Sequence, residues 1–212
     1  MNASFRRIEM ILWFVGIALL GVAFAATFTR WSYQAQQERA LFQREPALSS
    51  VAVPAEQFGP PAPLQRATAT PPVRQRRRAP ALDPGVLGRL EIPRLGLSAI
   101  VKEGADERTL ARAVGLVPGS PRPGDAGNIV LAGHRDTVFW PLREIEVNDR
   151  IRVTVPPHTY EYRVQSVRVV EPEETDVLQS NGVEELTLVT CYPFRFVGPA
   201  PERFIVSAAR VN

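Results

Sequence analysis

Residues 185–193 read ELTLVTCYP: a short apolar run that closes on Cys191, the only cysteine of the chain, and is stopped by Tyr192-Pro193. The alternation of leucine and valine with threonine fits a strand with a buried face, and the proline that follows cannot donate to a ladder. A second run, NIVLAGH (128–134), has the same form and ends on one of only two histidines. A third, RFIVSAARV (203–211), opens on an arginine. Three chemically capable side chains therefore sit at the ends of three predicted strands.

Around these runs the chain from Gly85 onward is written in the same style. Val86–Ile92, Leu97–Val101, Arg150–Val155 and Tyr160–Val170 read as further strands. They are separated by turn-rich pieces at Pro93-Arg94, Pro118 to Gly127, Pro156-Pro157-His158 and Asn181-Gly182. Asp106–Val114 (DERTLARAV) is the best helical stretch, with Asp106 placed to cap it. Seven or eight strands with one or two short helices make 85–212 a mainly β unit, a closed barrel or a sandwich.

The N-terminal part is different. Met10 to Thr29 is a run of 20 uncharged, largely apolar residues, enough to cross a hydrocarbon core of ~30 Å. It exceeds the apolar region of a cleaved signal peptide and reads as a retained transmembrane anchor. Arg6 and Arg7 precede it in the short tail 1–9, which by the positive-inside tendency keeps the N-terminus cytoplasmic and exports the rest. Gln34 to Glu45 reads as a polar continuation of the helix. Residues 46–84 hold nine prolines, one glycine and the run Arg76-Arg77-Arg78, so 30–84 is expected to be an extended linker between anchor and domain.

Charge narrows the function. The net +3 of the whole chain hides 15 basic and 17 acidic side chains within 85–212. The folded part lacks the basic excess of a nucleic-acid-binding domain. One cysteine and two histidines exclude a disulfide framework and a thiolate-rich or histidine-rich metal cluster.

A lone cysteine in an exported domain is a packed apolar residue, an intermolecular partner or a nucleophile. Its position at a strand end favours a rim over a mid-core site. His134 is either a satisfied structural histidine or a group that holds and delivers a proton near neutrality. Arg203 is either a surface cation or a fixed donor to a developing oxyanion. If the strands ending at Cys191 and starting at Arg203 are antiparallel neighbours, the two residues share a rim. Of the competing arginines, Arg135 lies beside His134, Arg195 within the loop and Arg210 far down the last strand. His158, in an expected hairpin turn, reads as a surface residue.

The segments LAGHRDT (131–137), TLVTC (187–191) and GPAPERFIV (198–206) resemble those of sortases, the cysteine transpeptidases of bacterial cell surfaces, and within that family class D most of all. The resemblance covers essentially all of 85–212. It implies an eight-stranded β-barrel with Cys191 as the nucleophile that forms an acyl-thioester. It also implies His134 as proton donor and acceptor, Arg203 as substrate and oxyanion ligand, and Thr190 as a contributor to the oxyanion hole by backbone or hydroxyl. The implied substrates are exported proteins with a C-terminal LPxTG-like sorting signal, transferred to an amine such as that of a peptidoglycan precursor or a pilin lysine. A thiol peptidase releasing product to water and a non-catalytic anchored surface module are the alternatives. No cofactor is expected. The acidic loop with Glu171, Glu173, Glu174 and Asp176 is a candidate groove wall; it reads as a solvated loop before it reads as a calcium site.

Overall fold

The structure is a computed structural model that describes residues 3–42, 83–180 and 182–211. It contains a long helix α1 (Ala3–Phe42), strands β1 (Val86–Ile92) and β2 (Leu97–Glu103), and a one-turn helix α2 (Glu107–Leu110). These are followed by β3 (Val114–Leu116), β4 (Asn128–Ala132), β5 (Arg150–Val155), β6 (His158–Val170), β7 (Glu185–Tyr192) and β8 (Glu202–Val211). The strands close into one barrel in the order β1-β2-β3-β4-β7-β8-β6-β5, with β5 returning to β1. Two neighbouring pairs are parallel, β2 with β3 and β4 with β7; the rest are antiparallel.

Closure follows from the side-chain pattern. Leu186 and Leu188 of β7, Val206 and Ala208 of β8, Ile129 and Leu131 of β4, and Ile151 and Val153 of β5 alternate into one interior with Leu90, Ile92 and Tyr162. All of these except Ala208 are fully buried; each aliphatic side chain contributes ~1.5–3 kcal/mol by leaving water. Tyr162 satisfies its phenol by donating to Glu184 Oε1 at 2.6 Å. Burial first, and that carboxylate second, push its pKa up.

Two expectations are corrected in the barrel. The helix expected over Asp106–Val114 is a single turn: Asp106 does cap it, accepting from Thr109 N at 3.1 Å and from Thr109 Oγ1 at 2.9 Å. Its C-terminal part is instead strand, because Val114 pairs with Val101 and Gly115 with Ala132. His158 is exposed but opens β6, paired with Val155 across Pro156-Pro157.

The extended reading of 30–84 is corrected over residues 30–42, which are helical. Their polar-looking face is docked on the barrel: Gln37, Ala40 and Leu41 are buried, and Leu41 packs with Ile100 and Ala113. Gln34 and Gln37 trade hydrogen bonds with barrel backbone, which repays their burial. Residues 43–82, the rest of the expected linker, lie outside the described residues. Among the described residues α1 is the one helix long and apolar enough to cross a membrane; Trp13, Ile17, Leu20, Val22, Phe24 and Phe28 are exposed on it.

Candidate active site

The β7–β8 ladder sets the first relationship. Its register pairs Leu188 with Val206, Thr190 with Phe204 and Cys191 with Arg203. Leu186 and Leu188 face the interior, so by the two-residue period Cys191 and its partner Arg203 stand on the outer face. Cys191 is a free thiol, half-buried. The strand extends one residue past Cys191, to Tyr192, so the cysteine lies within the last two rungs of the ladder.

The parallel β4–β7 ladder supplies the second. It pairs Leu131 with Leu188 and Ala132 with Val189, and Gly133 N still donates to Val189 O at 3.2 Å. Two further steps bring His134 level with Cys191. The row across three adjacent strands is therefore His134, Cys191, Arg203, with neighbours about 4.8 Å apart in backbone terms. Val170, the end of β6, pairs with Arg203 and closes the row.

Each group is fixed locally. The His134 carbonyl accepts from Phe139 N at 3.1 Å and Thr137 N at 3.4 Å, which turns the chain sharply after β4. Gly133 permits this: a Cβ there would stand 2.7 Å from the buried Phe139 ring. The His134 ring is 29% exposed, and its Nε2 lies 3.2 Å from Glu107 Oε1. Glu107 was not singled out by the sequence; it reaches the site because α2 abuts β3, and no local pattern signals that. Thr190 is buried and its hydroxyl donates to Gly133 O at 2.7 Å. That proton is committed, which leaves the backbone as what Thr190 can offer to an oxyanion.

Arg203 donates from Nη1 to Ala200 O at 3.2 Å and Glu202 O at 2.9 Å. Among the described residues these are its hydrogen bonds, so Nε and Nη2 remain for a ligand. Arg135 instead holds the β7–β8 loop, donating to Phe196 O at 2.9 Å and Gly198 O at 3.3 Å. Arg195 is exposed with its guanidinium 5.9 Å from the Trp140 ring, and Arg210 lies toward the far end, 3.4 Å from Glu184. The root of the loop is aromatic: Phe194 sits 5.0 Å from Phe204 and 6.0 Å from Tyr192, centroid to centroid.

The segment 171–184 begins beside Arg203, but it crosses to the opposite end of the barrel, where Gln179 O accepts from Asn128 Nδ2. It can wall the groove only at its start. Glu171, Glu173, Glu174 and Asp176 are exposed, and among the described residues no three His, Cys, Asp or Glu side chains gather as a metal set.

A closed eight-stranded barrel with cysteine, histidine and arginine abreast on its outer face matches a known family. Residues 90–211 fit the Sortase domain. The chain belongs to the sortase family. It is 38% identical over 126 residues to Sortase D of Bacillus subtilis strain 168, covering 59% of this chain and 64% of that protein. Sortase A of Bacillus anthracis is 31% identical over 110 residues, covering 50% of this chain and 52% of that one. The chain thus spans about half to two thirds of the length of these curated relatives. Among solved structures, a Clostridium perfringens Sortase D5 transpeptidase superposes with TM-score 0.55 at 27% identity, covering 60% of this chain and 79% of its own. Sortase C1 of Streptococcus agalactiae gives TM-score 0.57 at 32% identity, covering 62% and 71%. The sortase resemblance read from LAGHRDT, TLVTC and GPAPERFIV holds, and class D is among the relatives.

Proposed function

We propose that this chain is a membrane-anchored cysteine transpeptidase of exported proteins. The observation that carries the reading is the row formed by His134, Cys191 and Arg203 across β4, β7 and β8. The Cys191 sulfur, as thiolate, adds to the threonine carbonyl of an LPxTG-like signal. Arg203, with two nitrogens unengaged, offers a planar fork to the developing oxyanion. As the C–N bond breaks, the leaving amine takes a proton from His134, and an acyl-thioester remains on Cys191. An acceptor amine then gives its proton to His134 and attacks the thioester, and the C–S bond breaks to restore the thiolate. The acceptor class is an amine of a peptidoglycan precursor or a pilin lysine. No cofactor takes part.

The apolar part of α1 supports an anchor, and Arg6 and Arg7 support a cytoplasmic N-terminus with the barrel outside. The test is incubation of the protein with a library of LPxTG-like peptides, with intact mass read before and after adding amine. A mass increase on Cys191 that disappears into an amide product supports transfer. Release to water at an unchanged rate with amine present assigns a thiol peptidase instead. Absence of any adduct leaves only the anchored surface module.

A further inference from the structure

The direction in which α1 leaves the barrel decides which end of the barrel faces lipid. Residues 31–42 span about 16 Å at helical rise, and they pack across β1 and β2, strands about 23 Å long. Phe42 is at one end of this contact, with the Arg89 guanidinium 4.5 Å from its ring and Val86 beside it. Gln37 Oε1 accepts from Asp83 N at 2.9 Å, and Gln34 Oε1 accepts from Ile100 N at 2.7 Å. At the other end Arg30 and Trp31 line a cleft of about 330 Å³ with Leu110, Arg112, Thr137 and Val138. Asp83 and Val86 belong to the barrel end away from the cysteine; Thr137 and Val138 follow His134 at the end that carries it. Reading α1 backwards from Phe42 therefore runs from the far end to the catalytic end, and the apolar run 10–29 continues beyond it.

An independent feature lies at that same end. The β7–β8 loop, which joins Cys191 to Arg203, carries Val197 at 99% and Phe196 at 44% exposure. Arg135 grips the carbonyls on both sides of Val197, so the apolar tip is held outward. Net charge does not decide the matter, since Glu107 and Asp136 alternate with Arg108 and Arg135. The helix direction and the apolar tip do, because an exposed aromatic and aliphatic pair suits the headgroup boundary.

We infer that the barrel rests on the membrane with its catalytic rim toward the lipid surface, Phe196 and Val197 touching the interface. This deepens the proposed function and rests on it: the docked helix fixes the height of Cys191, and the substrates reached are those tethered to the same membrane.

The experiment uses the full chain in lipid vesicles of mixed zwitterionic and anionic composition. Single cysteines are placed by Leu20→Cys, Val197→Cys and Ala126→Cys in a Cys191→Ala background and labelled with a nitroxide. Accessibility to oxygen is compared with accessibility to a water-soluble nickel chelate. The expected result is Leu20 in hydrocarbon, Val197 at the headgroup boundary and Ala126, at the far end, in water. Leu20 in hydrocarbon with Val197 and Ala126 equally in water overturns the orientation and leaves the anchor intact. Leu20 in water overturns the anchor, and the orientation with it. With Cys191 present, Val197→Ser is expected to slow processing of a vesicle-tethered peptide while the same peptide free in solution is processed as before. An equal loss on both places Val197 in the peptide site and overturns the lipid contact.

Discussion

Cys191 and Arg203 are direct cross-strand partners on the outer face of the β7–β8 ladder, so one pairing register holds sulfur and guanidinium together. A slip of β7 by one residue would turn Cys191 to the interior and part it from Arg203. The arrangement makes the chemistry of the arginine testable. Arg203→Lys keeps the charge and loses the planar fork, and thioester formation should fall by on the order of 10²–10³. Cys191→Ala and His134→Ala should each abolish it. Arg195→Lys, on the exposed side of Trp140, should leave it unchanged. Intact-mass kinetics of the acylated protein give all four numbers; normal acylation by Arg203→Lys would remove that residue from the mechanism.

A second prediction concerns acid stability. Asp149 is buried, and its carboxylate receives Arg94 Nε at 2.5 Å and Glu146 N at 2.9 Å. The Arg94 guanidinium, the largest cause, holds its pKa below the ordinary carboxylate range. A depressed folded-state pKa means the stabilisation is complete above the unfolded value near ~4 and is lost as pH falls through the folded one. Asp149→Asn should therefore cost about 1 kcal/mol near neutrality, a modest figure because Arg94 is 44% exposed and screened. The gap between variant and parent should close below about pH 4 in urea titrations. A constant gap from pH 7 to pH 3 would sink this account.

Much of the barrel was legible because its signals are local. β1 and β5 have the expected bounds, and the three site residues stand at strand ends as Tyr192-Pro193 and Gly133 suggest. What escaped depends on partners distant in sequence. Val114–Leu116 is too short to show a period, and it becomes a strand by sitting between β2 and β4. Gln34 and Gln37 belong to a stretch that reads only as polar, yet the N–H groups of Ile100 and Asp83 donate to them. Glu107 and Arg135 are ordinary surface residues by pattern; only the approach of α2 and of the β7–β8 loop brings them to the site.

Gly133 tests how tightly the turn before the histidine is built. An added Cβ would stand 2.7 and 2.8 Å from Phe139 ring carbons and 2.9 Å from Val138 Cγ1. Phe139 is fully buried and cannot swing to solvent. Gly133→Ala should then destabilise by ~1–3 kcal/mol through overpacking. It should also lower kcat, because the displaced segment carries His134. Phe139→Leu in the same chain should recover part of both, and thermal melts beside acylation rates measure it. Independent, additive effects of the two substitutions would show that the contact does not govern the turn.

Thr190 separates positioning from chemistry. Its hydroxyl is buried and bonds Gly133 O, one residue before the imidazole and one residue before the sulfur on the facing strand. It therefore ties the β4 end to the β7 end at the point where the two catalytic side chains emerge. Thr190→Val keeps the shape and removes the donor, leaving a buried carbonyl short of a partner, which costs ~1–3 kcal/mol. Thr190→Ser keeps the donor and loses one methyl, about 0.8 kcal/mol of burial at most by transfer of a CH₂. If the tie positions His134, valine should lower kcat well beyond its effect on KM, while serine should retain nearly full kcat. If Thr190 acted through its hydroxyl on the oxyanion, the 2.7 Å bond to Gly133 O would have to break during turnover; valine would still lower the unfolding midpoint by the lost resting-state bond, but it would abolish acylation outright. Urea midpoints and single-turnover acylation, measured on both variants, distinguish these outcomes.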